Sequence, residues 1–554
     1  MPTRTRPTHL SLHVRAGGLP CDPQTQTVRL TPKPDARARR PKTLLDFTRK
    51  PVDDDIREAE HTELKRTLGP WQLTALGVGA IIGAGIFSGA GTAIAGGEGH
   101  LGAGPALVVS YIAVAIACGF AALCYAEFAA MIPKAGSAYT YAYATLGEIV
   151  AWIIGWDLII EYAIGNIAVA ISWSGYFQEL LRGFGMALPE WMATDYVTAF
   201  RDARVLEQAL AAGTDPATLP GHVLQAAHAV ETAPQLFGFP VILNLPAVGI
   251  VALITWVLVR GIRESAWVNT AMVVLKLGIL AFFVLAGAFY VRPENWTPFA
   301  PNGIHGIWTG AALIFFAYIG FDAVSTAAEE SRNPQRDMPF AMMMSLAVTS
   351  LIYIIVTLVL TGLIPWDRLG TAEPLATAFG ERGLNVGAAL ISVGAIAATT
   401  SVLLVFQLGQ PRIFYAMARD GLLPPWAGKV HPRYQTPHIT TILTGVFVAV
   451  FAAFAPIDAI IELTNIGTLF AFVLVAIGIL VLRKIDPDRP RPFRTPLVPL
   501  VPILAIVSCV GLMLGLPLDT WIRFGLWLAA GLVIYFLYGR RHSVLRKREA
   551  TPAP

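Results

Sequence analysis

Long apolar stretches recur along the chain at lengths that suit a lipid bilayer. A helix rises 1.5 Å per residue, so about 20 apolar residues cross a hydrocarbon core of about 30 Å. Twelve such stretches are predicted, and they are called spans one to twelve below. They lie near residues 71–97, 105–131, 149–181, 245–259, 267–290, 307–328, 340–363, 386–411, 438–455, 458–482, 497–514 and 522–539. The pattern predicts an all-α integral membrane protein with twelve transmembrane helices.

Span one is interrupted near its centre by small residues. Gly83, Ala84 and Gly85 lie at mid-depth, within a stretch (77–87) that holds two further glycines. Glycine there frees backbone groups that lipid cannot hydrogen-bond, and a bound solute would be a suitable partner for them. Close packing of two helices through small residues is the alternative. Span six is interrupted at Gly320, and paired interruptions in two halves of a chain are typical of a transporter's central site.

Composition agrees with the membrane assignment and favours no enzymatic activity. The chain is 55% hydrophobic and only 14% charged, with a mean hydropathy of +0.58, whereas soluble domains are about one quarter charged. The four cysteines are dispersed, which indicates neither a disulfide framework nor a metal site. No nucleotide-binding loop, nucleophile elbow or zinc-protease motif is present in the sequence. No cofactor, no metal and no catalytic residue are therefore predicted.

Lysine and arginine indicate the orientation. If the N-terminus is cytoplasmic, the loops on that side after residue 70 hold 19 of these residues, against seven on the opposite side, and the N-terminal tail adds 14. Positive residues concentrate on the cytoplasmic side of membrane proteins, so both termini are predicted to be cytoplasmic. The formal net charge of +4 is thus a topology signal and not a sign of nucleic-acid binding.

The chain divides into three parts. Residues 1–66 are expected to be a cytoplasmic N-terminal tail, largely disordered, and residues 67–483 to form a transporter core of spans one to ten. Within the core, an extracytoplasmic loop (182–244) has helical patterns at 195–210 and 222–231. Two short helices over the outer face are expected there, as a solubilising cap and not a second binding site. Residues 484–554 comprise spans eleven and twelve and a cytoplasmic C-terminal tail.

Five motifs in order resemble those of the cationic amino acid transporter family, within the amino acid–polyamine–organocation superfamily. They are Gly-Ala-Ile-Ile-Gly-Ala-Gly-Ile-Phe (79–87), Ile-Pro-Lys-Ala-Gly-Ser-Ala-Tyr (132–139), Gly-Trp-Asp-Leu-Ile-Ile-Glu-Tyr (155–162), Gly-Phe-Asp (320–322) with Glu-Glu-Ser-Arg-Asn-Pro-Gln-Arg-Asp-Met-Pro (329–339), and Pro-Arg-Ile-Phe-Tyr-Ala-Met-Ala-Arg-Asp-Gly-Leu-Leu-Pro (411–424). The resemblance runs from about residue 60 to 545. It implies a leucine-transporter-type fold, in which five helices repeat in inverted orientation (5+5), helices one and six are unwound, and two extra helices follow.

The unwound geometry suits an amino acid. The outer half of span one begins after Gly85, and its free N–H groups would attract the α-carboxylate. Orphan carbonyls near Ile81, Ile82 and Ala317 would accept from the α-ammonium. Side chains near the breaks would then contact the R-group. The predicted substrate-binding residues are Ile81, Ile82, Gly83, Ala84, Gly85, Phe315, Phe316, Ala317, Tyr318, Gly320 and Thr400, the last flanked on span eight by Thr399 and Ser401. For the aromatic residues, ordinary helix packing is an equal alternative.

Charged residues deep in the spans are candidates for coupling. Lys276 lies in a segment (273–279) that resembles the fifth span of proton-coupled relatives, where a lysine takes the place of a sodium ion. Its ammonium group would then tie span five to the carbonyls of span one. Glu161 on span three would contact substrate, share protons with Lys276, or be a satisfied structural carboxylate. Asp157 and Asp322 are expected to have structural or inner-gate roles, and Glu127 an ion pair at the inner surface.

The sequence thus predicts a secondary active amino acid transporter of the plasma membrane (a bacterial inner membrane), with an amino acid and a proton as partners. Proton-coupled symport by alternating access is the principal hypothesis. Exchange of internal for external amino acid and a non-transporting amino acid sensor are the alternatives. The choice between a small neutral and a basic substrate stays open, as does the oligomeric state, for which a monomer is one of the possibilities.

Overall fold

The computed structural model describes Arg49 and residues 68–550, with gaps at 98–99, 133–136, 214, 216–220 and 262–265. Apart from Arg49, the predicted N-terminal tail (1–66) lies outside the described residues. The described chain is mainly helical. Its long helices are Pro70–Ile81, Leu107–Met131, Glu148–Ile159 continuing to Gly165–Gly183, Leu245–Arg260, Ala266–Gly287, Gly303–Ile314, Pro334–Leu363, Asn385–Arg419, His438–Phe454, Ile457–Ile485, Leu500–Met513 and Leu518–Ile534.

Length and composition identify most of the predicted spans in this fold. Among the described residues, eight helices are long and apolar enough to cross a membrane, and a ninth crossing forms if the bent pair Pro70–Ile81 and Gly85–Ala95 is one span. Three shorter apolar helices, Leu245–Arg260, His438–Phe454 and Leu500–Met513, coincide with spans four, nine and eleven. A mostly helical membrane protein is therefore confirmed, and every predicted span has a helix at its position.

Short elements connect the spans. The smaller helices are Ala90–Ala95, Ser137–Thr145, Tyr196–Ala211, Gly221–Thr232, Pro374–Glu381, Arg540–His542 and Val544–Ala550, and two antiparallel hairpins pair Gly96–Gly97 with His100–Leu101 and Gln235–Leu236 with Phe239–Pro240. Two of these helices lie where the long loop was expected to have them. The Asp195 side chain caps the first by accepting a hydrogen bond from the Thr198 N–H at 2.8 Å.

The packing of the spans places span one at the centre of the fold. The helix before its break contacts spans five and seven, span seven packs on span two, and span eight packs along span three. The interior is built from Ala, Ile, Val and Phe side chains with little exposure. Buried polar residues are therefore conspicuous, and Lys276, Glu161, Asp157 and Asp322 are all 2% exposed or less. The site lies where these residues meet the two breaks.

The predicted inner-surface pairing of Glu127 has the expected geometry. Glu127 lies one turn before the end of span two and is fully buried. Arg483 donates to both of its carboxylate oxygens, at 2.9 and 2.8 Å, and Arg491 approaches to 3.2 Å. The backbone N–H of Thr495 donates a further bond at 2.8 Å. Two cations and a backbone donor therefore compensate this buried charge and join spans two and ten to the segment before span eleven.

Candidate functional site

Spans one and six both lose their helical geometry at mid-length. In span one, the helix ends at Ile81, Ile82 is extended (ψ 101°), and a wide π-turn begins at Gly85. In span six, a helix ending at Ile314 tightens into a 3₁₀ turn, Phe315–Tyr318, and Gly320 then adopts a φ of +115°. Only glycine takes that conformation without strain. The small residues of the sequence thus lie at two real breaks.

The two breaks contact each other directly. A Cβ atom on Gly85 would overlap the backbone of Ala317, and one on Gly320 would come within 2.9 Å of the carbonyl oxygen of Ala80. A Cβ on Gly83 would instead meet a methyl group of Val402, on span eight, at 2.8 Å. Glycine therefore serves two purposes here. It permits the unusual backbone, and it lets three spans approach closely around one point.

One hydroxyl group joins the carbonyl ends of the two broken helices. The Tyr353 Oη atom, on span seven, lies 3.0 Å from the carbonyl oxygens of both Ile81 and Ala317. A hydroxyl group has a single proton to donate, so at any moment it satisfies one of these carbonyls and leaves the other with an open acceptor position. Together they form a neutral pair of acceptors, which is suited to a ligand's ammonium group.

Lys276 contacts the break of span one from span five. Its ammonium group donates to the carbonyl oxygens of Gly79 at 2.6 Å and Ile82 at 3.0 Å, and the side chain is 1% exposed. Both acceptors are neutral. Within the described part of the chain, a protonated amine at this position contacts no carboxylate and is held only by the backbone dipoles of the first break.

Three carboxyl groups meet on the other side of the breaks. Glu161 lies in a π-turn of span three, Ile160–Ile164, and its carboxyl group faces those of Asp157 and Asp322. The Asp157 Oδ1 atom also lies within 2.9 Å of the Cβ position of Gly467 on span ten. Among the described residues, the buried carboxylate oxygens of Asp157 have no hydrogen-bond donor, whereas the Asp322 carboxyl group lies beside the backbone N–H groups of Gly320 and Ala323 and the carboxyl group of Glu161. Like charges this close cannot all be ionised together, so the cluster holds at least one proton.

Comparison with known proteins identifies the family. A sequence model for the family described as amino acid permease matches residues 68–537. The chain belongs to the amino acid permease family. The resemblance to cationic amino acid transporters drawn from the five motifs is confirmed, and the members that match are transporters and not enzymes.

Three relatives show the range of this permease family. The chain is 44% identical over 503 residues to the branched-chain amino acid permease BcaP of Bacillus subtilis (strain 168), an alignment that covers 90% of this chain and 99% of that protein. It is 42% identical over 501 residues to the methylthioribose transporter of the same organism, with the same coverage. It is 30% identical over 621 residues to human cationic amino acid transporter 4, with 90% and 91% covered.

The three aromatic residues predicted to bind substrate in this permease have different neighbours. Phe315 packs edge-to-face on Phe472, and Tyr318 packs against Tyr111 and Tyr353 and donates to the Tyr111 carbonyl at 3.0 Å. The hydroxyl group of Tyr318 is therefore used within the protein. Phe316 instead approaches the π-turn of span one, near the Cβ position of Gly89.

Thr400 was predicted to bind substrate at the breaks, but it does not face them. Its hydroxyl group accepts from the Trp173 indole at 3.0 Å and donates to the Ile396 carbonyl, so it packs against span three. Val402 is the span-eight residue that faces Gly83. The two positions are about 200° apart around the helix, because each residue turns it by 100°. Span eight thus presents an apolar methyl group to the break in place of the expected hydroxyl.

The pairing of Lys276 with Glu161, one alternative for the sequence, does not form. The ammonium group of Lys276 contacts span-one carbonyls, whereas Glu161 faces the carboxyl groups of Asp157 and Asp322. Neither the two aspartates beside Glu161 nor Tyr353 was foreseen as part of one site. One feature of the sequence could have indicated them, because each is a polar residue within an otherwise apolar span.

Proposed function

We propose that this protein is a proton-coupled amino acid symporter that works by alternating access. The observation that carries the proposal is the position of Lys276, whose ammonium group holds the unwound carbonyls of span one from span five. A charge buried among neutral dipoles is costly, and releasing its proton removes that cost and weakens the two hydrogen bonds, because a neutral amine is a weaker donor than an ammonium group. Loss of the proton would thereby free the inner half of span one to move.

The proposed architecture has twelve transmembrane helices. Spans one to five and six to ten form a leucine-transporter-type inverted repeat, and spans eleven and twelve lie outside it. The two breaks support this arrangement, because they fall in the first helix of each five-helix half. The three apolar helices of 14 to 17 residues would cross the membrane with the help of flanking turns. The three-part division into tail (1–66), core (67–483) and C-terminal part (484–554) belongs to the same proposal.

The substrate contacts follow from the breaks. The α-carboxylate binds the free N–H groups at the start of the π-turn, Gly85–Gly89, where a helix begins. The α-ammonium group binds the carbonyls of Ile81 and Ala317, of which Tyr353 can satisfy only one at a time. The backbone thus recognises what every amino acid shares, and Gly83, Ala84 and Gly320 give it room.

The proposed substrates are neutral amino acids with branched apolar side chains. Around the outer half of span one, the Cβ position of Gly89 is bordered by Ile461 and Phe316, and Val402 faces Gly83. These three neighbours are apolar and offer a cationic side chain no carboxylate. The name of the 44% identical relative, a branched-chain amino acid permease, agrees with this choice. A methylthioribose-like ligand, suggested by the 42% identical relative, lacks the ammonium and carboxylate groups that the breaks suit.

Uptake into proteoliposomes tests the function. With the outside at pH 5.5, the inside at pH 7.5 and the membrane potential clamped at zero, labelled leucine should accumulate inside. One proton per substrate permits up to about a hundredfold accumulation, because each pH unit is worth a factor of ten. A protonophore should reduce the accumulation to equilibration. Uptake that requires internal amino acid and ignores the gradient would establish exchange, and binding without uptake would establish a sensor.

Competition in the same assay tests the substrate class. Unlabelled isoleucine and valine should suppress leucine uptake, whereas lysine and methylthioribose at the same excess should leave it unchanged. Suppression by lysine alone would assign a basic substrate, and suppression by methylthioribose alone would assign the sugar.

The proposed location is the plasma membrane, a bacterial inner membrane, with both termini cytoplasmic. An epitope inserted after Gly213, an exposed residue between the two loop helices, should be labelled on intact cells. One inserted after Asp488, exposed between spans ten and eleven, should be labelled only after permeabilisation. The reverse pattern would contradict the distribution of Lys and Arg on which the orientation rests.

A further inference from the structure

A short segment closes the outer side of span one in this structure. It comprises the loop 369–373 and the helix Pro374–Glu381, and it is called the outer lid, in the orientation proposed above. The hydroxyl group of Ser88, in the π-turn of span one, donates to the lid carbonyl of Ala372 and lies 2.5 Å from the hydroxyl group of Ser172 on span three. The lid therefore binds span one through a hydroxyl group that also contacts span three.

Glycines on both spans let the lid approach closely. A Cβ atom on Gly91 would come within 2.8 Å of the carbonyl oxygen of Thr371, and one on Gly175 would come within 2.6 Å of the Glu373 Oε2 atom. The Glu373 side chain thus lies directly against the backbone of span three. Ser88 and Ser172 are 1% and 0% exposed beneath this contact, so movement of the lid away from Ser88 is a direct route by which solvent would reach them.

The Glu373 carboxyl group has a poor environment for a negative charge. It precedes the lid helix without capping it, and it is only partly exposed. The groups that face it from span three are Arg182, Glu179 and Tyr176. Arg182 is committed to Glu179 at 2.9 Å. Burial raises the pKa of the Glu373 carboxyl from 4.5 to about 7, an effect that Arg182 partly offsets and Glu179 reinforces.

A cavity of about 450 Å³ lies beside the carboxyl group and is predominantly acidic. Asp458 at the start of span ten and Asp202 in the loop helix both bind Arg201, at 3.0 and 3.1 Å, and Asp195 caps that helix. These groups offer Glu373 no free cation. Its ionised form is therefore better placed in bulk water, which it reaches when the lid lifts.

We propose that Glu373 is a proton-sensitive switch of the outer lid, which closes over spans one and three when the carboxyl group is neutral and lifts when it ionises. The proposal rests on the alternating access proposed above. The direction in which pH shifts the closure of the lid follows from the difference in proton affinity between the closed and lifted lids. The closed lid binds the proton more tightly than the lifted lid, so closure is favoured as the outside pH falls from about 7 to 4.5 and is disfavoured above that window. Acid outside the membrane would then drive closure over the bound solute.

Accessibility of a cysteine under the lid tests the switch. The reporter is Ser172→Cys in full-length protein carrying Cys21→Ser, because the other three cysteines are buried. Its reaction rate with an impermeant maleimide is measured on the outer side at pH 5 and pH 7.5, with and without Glu373→Gln. At a given pH the reporter thiol is the same in both proteins, so the ratio of their reaction rates does not depend on the ionisation of that thiol. We expect the Glu373 lid to react at least about tenfold faster than the Glu373→Gln lid at pH 7.5, and at most about fourfold faster at pH 5.

A matched control lies on the same helix. Glu381, at the end of the lid helix, is paired with Arg368 at 3.4 Å, so Glu381→Gln should leave the rates unchanged at both pH values. Equal rates for the Glu373 and Glu373→Gln lids at pH 7.5 would overturn the proposal, as would an equal effect of Glu381→Gln. If Ser172→Cys does not fold, Ser88→Cys reports on the same contact. The labelling experiment does not require transport. If the lid responds to pH in a protein that shows no uptake, the lid proposal therefore stands and only the proposed transport function is contradicted.

Discussion

Uptake is expected to fall below about one tenth of the wild-type rate when Gly85 is replaced by alanine. The new Cβ atom would overlap the Cα, Cβ and N atoms of Ala317, which are mainly backbone and cannot rotate away. Forced overlap in a close-packed site costs about 1–3 kcal/mol. Relieving it by separating spans one and six would pull apart the carbonyls of Ile81 and Ala317 that Tyr353 joins. The measurement is initial leucine uptake in proteoliposomes, normalised to protein that elutes as a monodisperse peak.

Two comparisons separate the site from ordinary helix packing. Gly83→Ala meets only a methyl group of Val402, which can be removed, so Gly83→Ala with Val402→Ala should recover most of the uptake that Gly83→Ala alone loses. Gly249→Ala, on span four, has no atom within 4 Å of the new Cβ position and should behave as wild type. Wild-type uptake by Gly85→Ala would show that the breaks do not need the close approach seen here.

The breaks could be predicted from the sequence because their cause is local. A run of glycine and alanine at the middle of an apolar stretch is visible in the residues themselves, and the positive φ of Gly320 is a property of that one residue. The same is true of the span positions, which depend on length and apolarity. The cap of the loop helix by Asp195 is likewise a contact over three residues.

The neighbours of the breaks could not be predicted, because they depend on how each helix is rotated in the bundle. Thr400 and Val402 lie two residues apart on span eight, yet one faces span three and the other faces Gly83. When a helix has apolar residues on all sides, the periodicity of its sequence does not show which face turns toward which neighbour. Helix rotation also determines two further contacts. Asp322 meets Glu161, which lies 161 positions earlier in the chain, and Tyr353 meets the ends of two helices.

Replacing Lys276 with methionine should abolish accumulation driven by the pH gradient. Methionine keeps an unbranched apolar stem but cannot donate to the carbonyls of Gly79 and Ile82, and it carries no proton. The leucine concentrations on the two sides should then become equal at any imposed gradient. Leucine binding should survive in part, because the proposed ammonium and carboxylate contacts come from other backbone groups. The measurements are the accumulation ratio at outside pH 5.5 and exchange of labelled for unlabelled leucine at equal pH.

A double variant distinguishes coupling from a structural ion pair. Removing one partner of a buried pair costs about 3–5 kcal/mol, and removing the second partner recovers stability. Because Glu161 faces Asp157 and Asp322 and not Lys276, adding Glu161→Gln to Lys276→Met should recover neither thermal stability nor accumulation. Recovery of both would establish the pair that this structure does not show. A Lys276→Met protein that still accumulates leucine in response to the gradient would exclude Lys276 as the coupling residue and direct attention to the carboxyl groups of Glu161, Asp157 and Asp322, which are also buried beside the breaks.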